Sequence, residues 1–222
     1  MRAILLVGSP RGERSTSWSL GHYLMDQLRE RGWEAEEVHL HKRMGDPEGE
    51  AATIEKAAAS DLIVLSFPTY VDSTPAAVVR AMEALAGRMG DGRRPALVAI
   101  ANCGFPEGFH NDTALEICRL FARDAGLRWM GALSLGGGPA IDGRPLAASG
   151  GRGRNARRSL ELAAGALANG EAVPEEAVKA MAKGGTPRWL YILFGNMGWR
   201  KQAGRHGVAD RLEDRPLMKG RK

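Results

Sequence analysis

Three short, uninterrupted apolar runs constrain the fold of this 222-residue chain more than any other feature of its sequence. They cover residues 3–7, 62–65 and 96–101, and each one gives way to a polar or glycine-rich turn. Continuous apolar runs of this length are typical of central parallel strands that helices cover on both faces. The chain is therefore expected to build its core around a parallel sheet.

Two further strand patterns and a set of helical patterns complete the predicted fold. Val38 and Leu40 alternate with polar neighbours, as in a half-exposed edge strand, and residues 129–135 supply a fifth strand. Helical spacing is found in residues 17–31, 50–59, 75–87, 111–126 and 154–169. Parallel neighbours need right-handed crossover connections, so this alternation predicts an α/β protein with a doubly wound, five-stranded parallel sheet and helices on both faces.

The predicted topology also selects the loops where a ligand should bind. Ligands of doubly wound sheets lie beyond the carboxyl ends of the strands. The loops that follow the first, third and fourth strands are residues 8–17, 67–74 and 102–110, and a fourth loop, residues 136–151, follows the fifth strand. We expect the functional site to lie among these loops.

Charge, cysteine content and hydropathy exclude several classes of protein. The formal net charge is +5 and the sequence pI is about 9.5, but the basic residues are spread out and no nucleic-acid-binding motif accompanies them, so no nucleic-acid partner is expected. Cys103 and Cys118 match neither a CxxC pair nor a metal-binding cluster, so no metal is expected. No apolar run is long enough to span a membrane, and the start of the chain lacks signal-peptide features, which together predict a cytoplasmic protein.

The loop after the first strand has the composition of a phosphate-binding turn. Ser15, Thr16 and Ser17 meet the start of an amphipathic helix, where unpaired backbone N–H groups and partial positive charge favour an anion. Ser9 supplies another hydroxyl donor and Arg11 a cation. The alternative is a helix cap without a ligand, which needs only one hydroxyl. Because the loop contains neither GxGxxG nor GxxxxGK[ST], it favours a monophosphate over a dinucleotide or a nucleoside triphosphate.

Three loops in order resemble those of the NAD(P)H-dependent FMN reductase family, which is a flavodoxin-like group. Residues 8–11 and 15–17 resemble the first flavin loop, residues 68–70 with Pro75 the second, and residues 102–106 the third. The resemblance covers roughly residues 1–170. It implies the flavodoxin-like strand order 2-1-3-4-5.

The resemblance also implies an activity and a set of site residues. It implies FMN bound noncovalently, hydride accepted from NADPH or NADH, electrons passed to a quinone, flavin or other small-molecule acceptor, and a homodimer. No side chain is expected to act as an acid or base, so no catalytic residue is assigned. The residues assigned to the cofactor are Ser9, Arg11, Ser15, Thr16, Ser17, Pro68, Thr69, Tyr70, Val71, Asn102, Cys103, Gly104 and Phe105.

Alternatives remain open for the whole chain and for single residues. A flavodoxin-like FMN electron carrier served by a protein partner is the chief rival, although such carriers generally present acidic surfaces, unlike this basic chain. Cys103 is interpreted as packing rather than as a nucleophile, and His110 as a capping or surface residue that could instead donate a proton or contact an acceptor. The arginines near residues 144–154 either border the nicotinamide entrance or lie in a solvated connection.

The periodic pattern weakens after Gly170. Residues 174–183 and 187–204 are expected to form two more helices, the second with an aromatic face formed by Trp189, Tyr191, Phe194 and Trp199. We therefore expect an FMN-binding domain over residues 1–170. A helical extension over residues 171–222 is expected to pack on the domain or on a partner subunit, in preference to a membrane surface.

Overall fold

Five parallel strands form one sheet in the computed structural model, which describes residues 1–89, 94–141 and 143–215. The strand order is β2-β1-β3-β4-β5, as the resemblance implied. The strands are β1 (Arg2–Val7), β2 (Glu34–His39), β3 (Leu62–Pro68), β4 (Ala96–Asn102) and β5 (Arg128–Leu135). The predicted doubly wound sheet is confirmed, with β2 and β5 at its edges.

Helices cover both faces of this sheet. They are α1 (Thr16–Arg29), α2 (Pro47–Ala59), α3 (Ala76–Arg88), α4 (Asp112–Asp124), α5 (Arg154–Ala168), α6 (Glu175–Ala182) and α7 (Arg188–Arg205). The buried side chains fall into two clusters, one under α1, α5 and α6 and the other under α2, α3 and α4. Each predicted helix exists.

Strand β1 shows why the sequence builds two cores. Leu5 and Val7 belong to the cluster under α1, whereas Ile4 and Leu6 belong to the opposite one. Successive side chains of a strand point to opposite faces, so an uninterrupted apolar run serves both. Full burial of each such side chain contributes about 1.5–3 kcal/mol to stability.

Several element boundaries differ by a few residues from the sequence-based expectation, among them those of α2 and β2. Helix α2 begins at Pro47, three residues before the predicted start, because the Asp46 carboxylate caps the helix by accepting from the Gly49 amide at 2.8 Å, and proline is suited to the first helical position. Strand β2 ends at His39, and Leu40 begins a 3₁₀ turn instead of continuing the strand.

The two edge strands of the sheet carry different features, a bulge in β5 and exposed charges in β2. In β5, Leu97 of β4 pairs with Trp129 and Val98 pairs with Gly131, so a bulge forms at Met130. The Met130 carbonyl accepts a hydrogen bond from the Val173 amide at 2.7 Å, which ties the chain after α5 to this edge. At the other edge, β2 carries exposed carboxylates at Glu34 and Glu36.

The chain divides into two compact units, residues 1–185 and 186–222. The first unit contains the sheet and α1 to α6, with α6 packed against α5 and β5. The second contains α7, whose Trp189 and Trp199 side chains are exposed; residues 216–222 of the expected C-terminal extension lie outside the described residues. None of the helices that the structure describes has both the length and the apolar character needed to cross a membrane.

Candidate functional site

The loops after β1, β3 and β4 lie side by side at one edge of the sheet. These three strands are neighbours and run parallel, so their carboxyl ends meet at the same edge. Gly8, directly after β1, is packed so tightly there that a Cβ atom would approach Val78 Cγ2 to 2.3 Å and Phe67 Cβ to 2.8 Å. Glycine at this position therefore lets the first loop leave the sheet.

Ser15 is the N-cap of α1. Its hydroxyl accepts a hydrogen bond from the Trp18 amide at 3.1 Å and donates to the Gly12 carbonyl at 2.6 Å. The side chain is almost fully buried. The helix-cap interpretation of Ser15 thus describes the observed geometry. The cap uses the Trp18 amide, so the amides of Thr16 and Ser17 at the start of α1 are not used by it.

The other hydroxyls of the first loop also have partners within the chain. Thr16 Oγ1 donates to the Gly138 carbonyl at 2.8 Å, and Ser17 Oγ accepts from the Asn102 side-chain amide at 2.8 Å. Ser9 is buried, and its hydroxyl accepts a long bond of 3.3 Å from the Arg11 amide. Thr16 and Ser17 thus connect the first loop to other loops, whereas Ser9 and Ser15 bond locally, so the four hydroxyls are not simply donors that converge on an anion.

The first loop nevertheless fits a phosphate group. The amides of Thr16 and Ser17 occupy the first two positions of α1, where no intrahelical acceptor exists. Arg11, which is exposed, belongs to the same loop, five residues before Thr16. Backbone amides with partial positive charge and one guanidinium are a suitable donor set for a phosphate, with the hydroxyls holding the amides in place.

The second loop is a tight turn with unusual backbone angles. Tyr70 and Ser73 exchange two backbone hydrogen bonds of 3.0 and 3.1 Å, and the residues between them, Val71 and Asp72, have φ values of 51° and 55°. A β-branched residue rarely adopts a positive φ. Val71 is fully exposed and Tyr70 is half-exposed, so this turn presents an apolar surface to solvent at the edge where the loops meet.

A buried polar network joins the three loops beneath this surface. The side-chain amide of Asn102 donates to Ser17 Oγ and, at 3.1 Å, to the main-chain carbonyl of Phe67. The main-chain carbonyl of Asn102 accepts from the Thr69 backbone amide at 2.9 Å. Thr69 Oγ1 in turn donates to Asn111 Oδ1 at 3.0 Å. The network fixes the first turn of α1 relative to the second and third loops.

Asn111 is a member of this network that the sequence analysis missed. It is fully buried, and its amide donates to Ser134 Oγ at 3.0 Å and to the Leu135 carbonyl at 3.2 Å. The sequence suggested only a helix start there. An asparagine that follows a strand-end loop directly was the available signal, because its amide can both donate and accept.

Cys103 lies beneath the third loop. Its thiol donates to the carbonyls of Phe105 and Glu107, and its own amide and carbonyl bond to Leu135 and Gly138. Burial is the main reason why the pKa of the Cys103 thiol is raised. A buried, protonated thiol is a poor nucleophile, which agrees with the packing role expected from the sequence.

Two phenyl rings and an imidazole stack at the tip of the third loop. The His110 ring centroid lies 4.3 Å from that of Phe105 and 4.4 Å from that of Phe109, with 29° between the planes in each pair. His110 Nδ1 lies 3.2 Å from Asp72 Oδ1, so the stack is linked to the second loop. We call Phe105, His110 and Phe109 the ring stack.

The fourth loop packs against the first. A Cβ atom on Gly143, where φ is 62°, would lie 2.2 Å from the Arg14 carbonyl oxygen, and the Arg144 carbonyl accepts a hydrogen bond from Ser19 Oγ. Arg157 of α5 donates to the Leu146 carbonyl at 3.0 Å. This loop, of which residue 142 lies outside the described residues, therefore buttresses the start of α1.

The structure places the thirteen predicted site residues in two layers. Arg11, Tyr70, Val71, Gly104 and Phe105 are exposed at the loop edge. The buried layer consists of Ser9, Ser15, Ser17, Asn102 and Cys103, with Thr16, Pro68 and Thr69 partly buried. The first layer is the one that a ligand can touch, and the second holds it in position. Within the described residues, no group of three or more metal-ligating side chains is found.

Comparison with known proteins identifies relatives of this arrangement. The model of the NADPH-dependent FMN reductase family matches residues 1–113, which include β1, β3, β4 and all three loops. No curated protein sequence matches the chain.

Several solved structures are similar in fold. An FMN-dependent NADH-azoreductase from Bacillus anthracis, solved with FMN, has a TM-score of 0.54 at 15% identity, covering 76% of this chain and 100% of that chain. A putative quinone reductase from Klebsiella pneumoniae has a TM-score of 0.56 at 14% identity, with coverages of 78% and 87%. An NAD(P)H:quinone oxidoreductase from Methanothermobacter marburgensis has a TM-score of 0.55 at 16% identity, with coverages of 72% and 98%.

Proposed function

This chain belongs to the NADPH-dependent FMN reductase family, and from that premise we propose that it passes reducing equivalents from NADPH or NADH to a small-molecule acceptor such as a quinone or a free flavin. The chain is an NAD(P)H-dependent oxidoreductase whose cofactor is FMN. The nature of the acceptor and the residues that bind the cofactor are the parts that we propose.

The FMN phosphate is proposed to bind at the first turn of α1. The amides of Thr16 and Ser17 donate to it, and the exposed Arg11 side chain pairs with its charge. Ser15 and Ser17 hold these amides in place through the cap and the bond to Asn102. A dianion at this position also gains from the partial positive charge of the helix terminus.

The flavin ring is proposed to lie along the second and third loops. Tyr70 and Phe105 offer exposed aromatic faces there, and a Cβ atom on Gly104 would meet no other atom within 4 Å. The chemistry that FMN supplies is the acceptance of two electrons from a reduced nicotinamide and their delivery to an acceptor. The chain's residues bind and orient the ring, and the protonated Cys103 thiol lies outside the exchange.

The observation that carries this proposal is the bond between Asn102 and Ser17. It connects the end of β4 to the first turn of α1, so the proposed phosphate site and the proposed ring-binding surface belong to one hydrogen-bonded unit. A phosphate site alone would suit many ligands, but its connection to two loops with exposed aromatic side chains suits a phosphorylated flavin.

Anaerobic stopped-flow mixing of the FMN-loaded protein with NADPH or NADH tests the activity. We expect the flavin absorbance near 450 nm, roughly its usual maximum, to bleach within seconds and to return when a quinone is added. If neither nicotinamide bleaches the flavin, the chain is an electron carrier that a protein partner serves.

We also propose that the protein is a cytoplasmic homodimer. Trp189, Phe194 and Trp199 of α7 are exposed, which favours association through this helix. Light scattering after size-exclusion chromatography is expected to give a dimer mass for the full chain and a monomer mass for a chain truncated before Thr186. A dimer mass for both chains would remove α7 from the interface. Cell fractionation followed by immunoblotting checks the compartment.

A further inference from the structure

The ring stack is open at both ends. Two phenyl rings on one face of an imidazole at 4.3 and 4.4 Å would crowd each other, so we expect Phe105 and Phe109 to take opposite faces of His110. Phe105 is 56% exposed and Phe109 is 63% exposed, whereas Phe67 in the core is fully buried. More than half of each of these two residues is therefore accessible to another planar ring.

Contacts on both sides hold the ring stack in position. Asp72 carries a carboxylate that can only accept, so His110 Nδ1 carries the proton of the bond between them. Asp72 itself lies in the tight turn closed by the two hydrogen bonds between Tyr70 and Ser73. On the other side, the residue that follows His110 is Asn111, which is fully buried in the polar network. An aromatic surface that is fixed in this way loses little conformational entropy when a ring stacks on it.

The dimensions of the stack decide what can bind at its far end. The two stacking distances place the phenyl centroids of Phe105 and Phe109 no more than about 9 Å apart. In the proposed function, Phe105 lies at the edge of the flavin and leaves a face of the flavin open to the nicotinamide. A ring on the outer face of Phe109 is then too far from the flavin to exchange electrons with it directly, so that ring belongs to a non-reacting part of a substrate.

We propose that the outer face of Phe109 stacks the adenine ring of NADPH or NADH, while the nicotinamide at the other end of the same molecule reaches the flavin. This proposal rests on the proposed function and deepens it. A small acceptor has a single ring system, which has to meet the flavin itself, whereas a nicotinamide dinucleotide has a second ring to place elsewhere. Aromatic stacking recognises the flat face of adenine and requires no sequence motif.

Paired substrates test the proposal on the FMN-loaded enzyme. In anaerobic single-turnover experiments, Phe109→Ala is expected to raise the apparent Kd for NADPH about tenfold with little change in the limiting rate of flavin bleaching. With reduced nicotinamide mononucleotide, which lacks adenine, Phe109→Ala is expected to change nothing. Phe109→Trp should retain NADPH affinity. Leu162→Ala, which removes an exposed apolar side chain (37%) from α5, far from the loops of the site in sequence, is the control.

Nuclear magnetic resonance gives a readout independent of turnover. Addition of AMP is expected to shift the His110 ring-proton signals in the wild type and in Leu162→Ala but not in Phe109→Ala. Unmoved His110 signals in the wild type, or equal Kd changes for the dinucleotide and the mononucleotide, would overturn the proposal. A wild-type enzyme whose flavin is not bleached by either nicotinamide contradicts the proposed function instead, and the AMP titration still decides the role of Phe109.

Discussion

Asn102 Nδ2 donates a 2.8 Å hydrogen bond to Ser17 Oγ across 85 residues of chain, and both residues are buried. The same amide donates to the Phe67 carbonyl. A single side chain thus holds the end of β4, the end of β3 and the start of α1 together.

Asn102→Ala is expected to lower the free energy of unfolding by about 1–3 kcal/mol, because it leaves the buried Phe67 carbonyl without this partner. FMN affinity should fall as well, since the first turn of α1 loses its support. Urea unfolding and flavin-fluorescence titration measure the two effects. Asn169→Ala, at an exposed position after α5, is the control and should change neither. Similar unfolding free energies and FMN affinities for the two variants would contradict the structural role of Asn102.

Arg11→Ala is expected to weaken FMN binding about tenfold, or about 1.4 kcal/mol, through loss of a charge-assisted contact with the phosphate. Riboflavin has the same ring system without the phosphate, so its affinity should not change. Arg14→Ala removes an equal charge from the same loop. A comparison of the two variants therefore separates direct contact between Arg11 and the phosphate from long-range attraction. Titration of both flavins by fluorescence provides the data. Equal losses for FMN and riboflavin would place Arg11 at the ring.

Val71→Asn is expected to raise the free energy of unfolding by about 1 kcal/mol. Val71 has a φ of 51° and is fully exposed, so the substitution relieves backbone strain without losing packing. Asparagine adopts the left-handed region more readily than valine does. The comparison is Val178→Asn in α6, where φ is helical and asparagine should cost a few tenths of a kcal/mol. Urea midpoints that fall in both variants would show that Val71 is not strained.

Cys118 predicts a specific loss of stability in alkali. Burial raises the pKa of its thiol to about 12, whereas an unfolded thiol ionises near its ordinary value of 9.0. Its contribution to stability is therefore complete below pH 9 and is lost as the pH rises towards 12, because only the unfolded chain releases the proton in that range. Cys118→Ala should be less stable overall at pH 8 but should lose stability less steeply between pH 9 and 11. Urea unfolding at several pH values checks this, and parallel curves would contradict it.

The sheet was predictable because its signals are local. The uninterrupted run from Ala3 to Val7 predicts a buried strand by itself, and its neighbours along the chain predict the crossover helices. The positions of the three loops then follow from strand order alone. Family resemblance supplied that order and the cofactor, which no local pattern specifies.

The hydrogen bonding within the site was not predictable in the same way. Ser17 reads as a phosphate ligand in sequence, but its partner Asn102 is distant along the chain and meets it only once β4 lies two strands from β1. Asn111 likewise indicates only a helix start in the sequence, because its partners Thr69 and Ser134 are distant along the chain. The positive φ values of Val71 and Asp72 have no glycine or Asn-Gly signal, so the turn type becomes visible only in three dimensions.

The two edge strands of the sheet limit how two copies of this protein can meet. Val173 already occupies the Met130 carbonyl on the β5 side, and carboxylates at Glu34 and Glu36 line β2. Neither border offers an uninterrupted, uncharged ladder on which a strand from another molecule could grow. Any association between copies of this enzyme is therefore expected to use helices or loops, and the folded protein is protected against edge-to-edge pairing of its sheets.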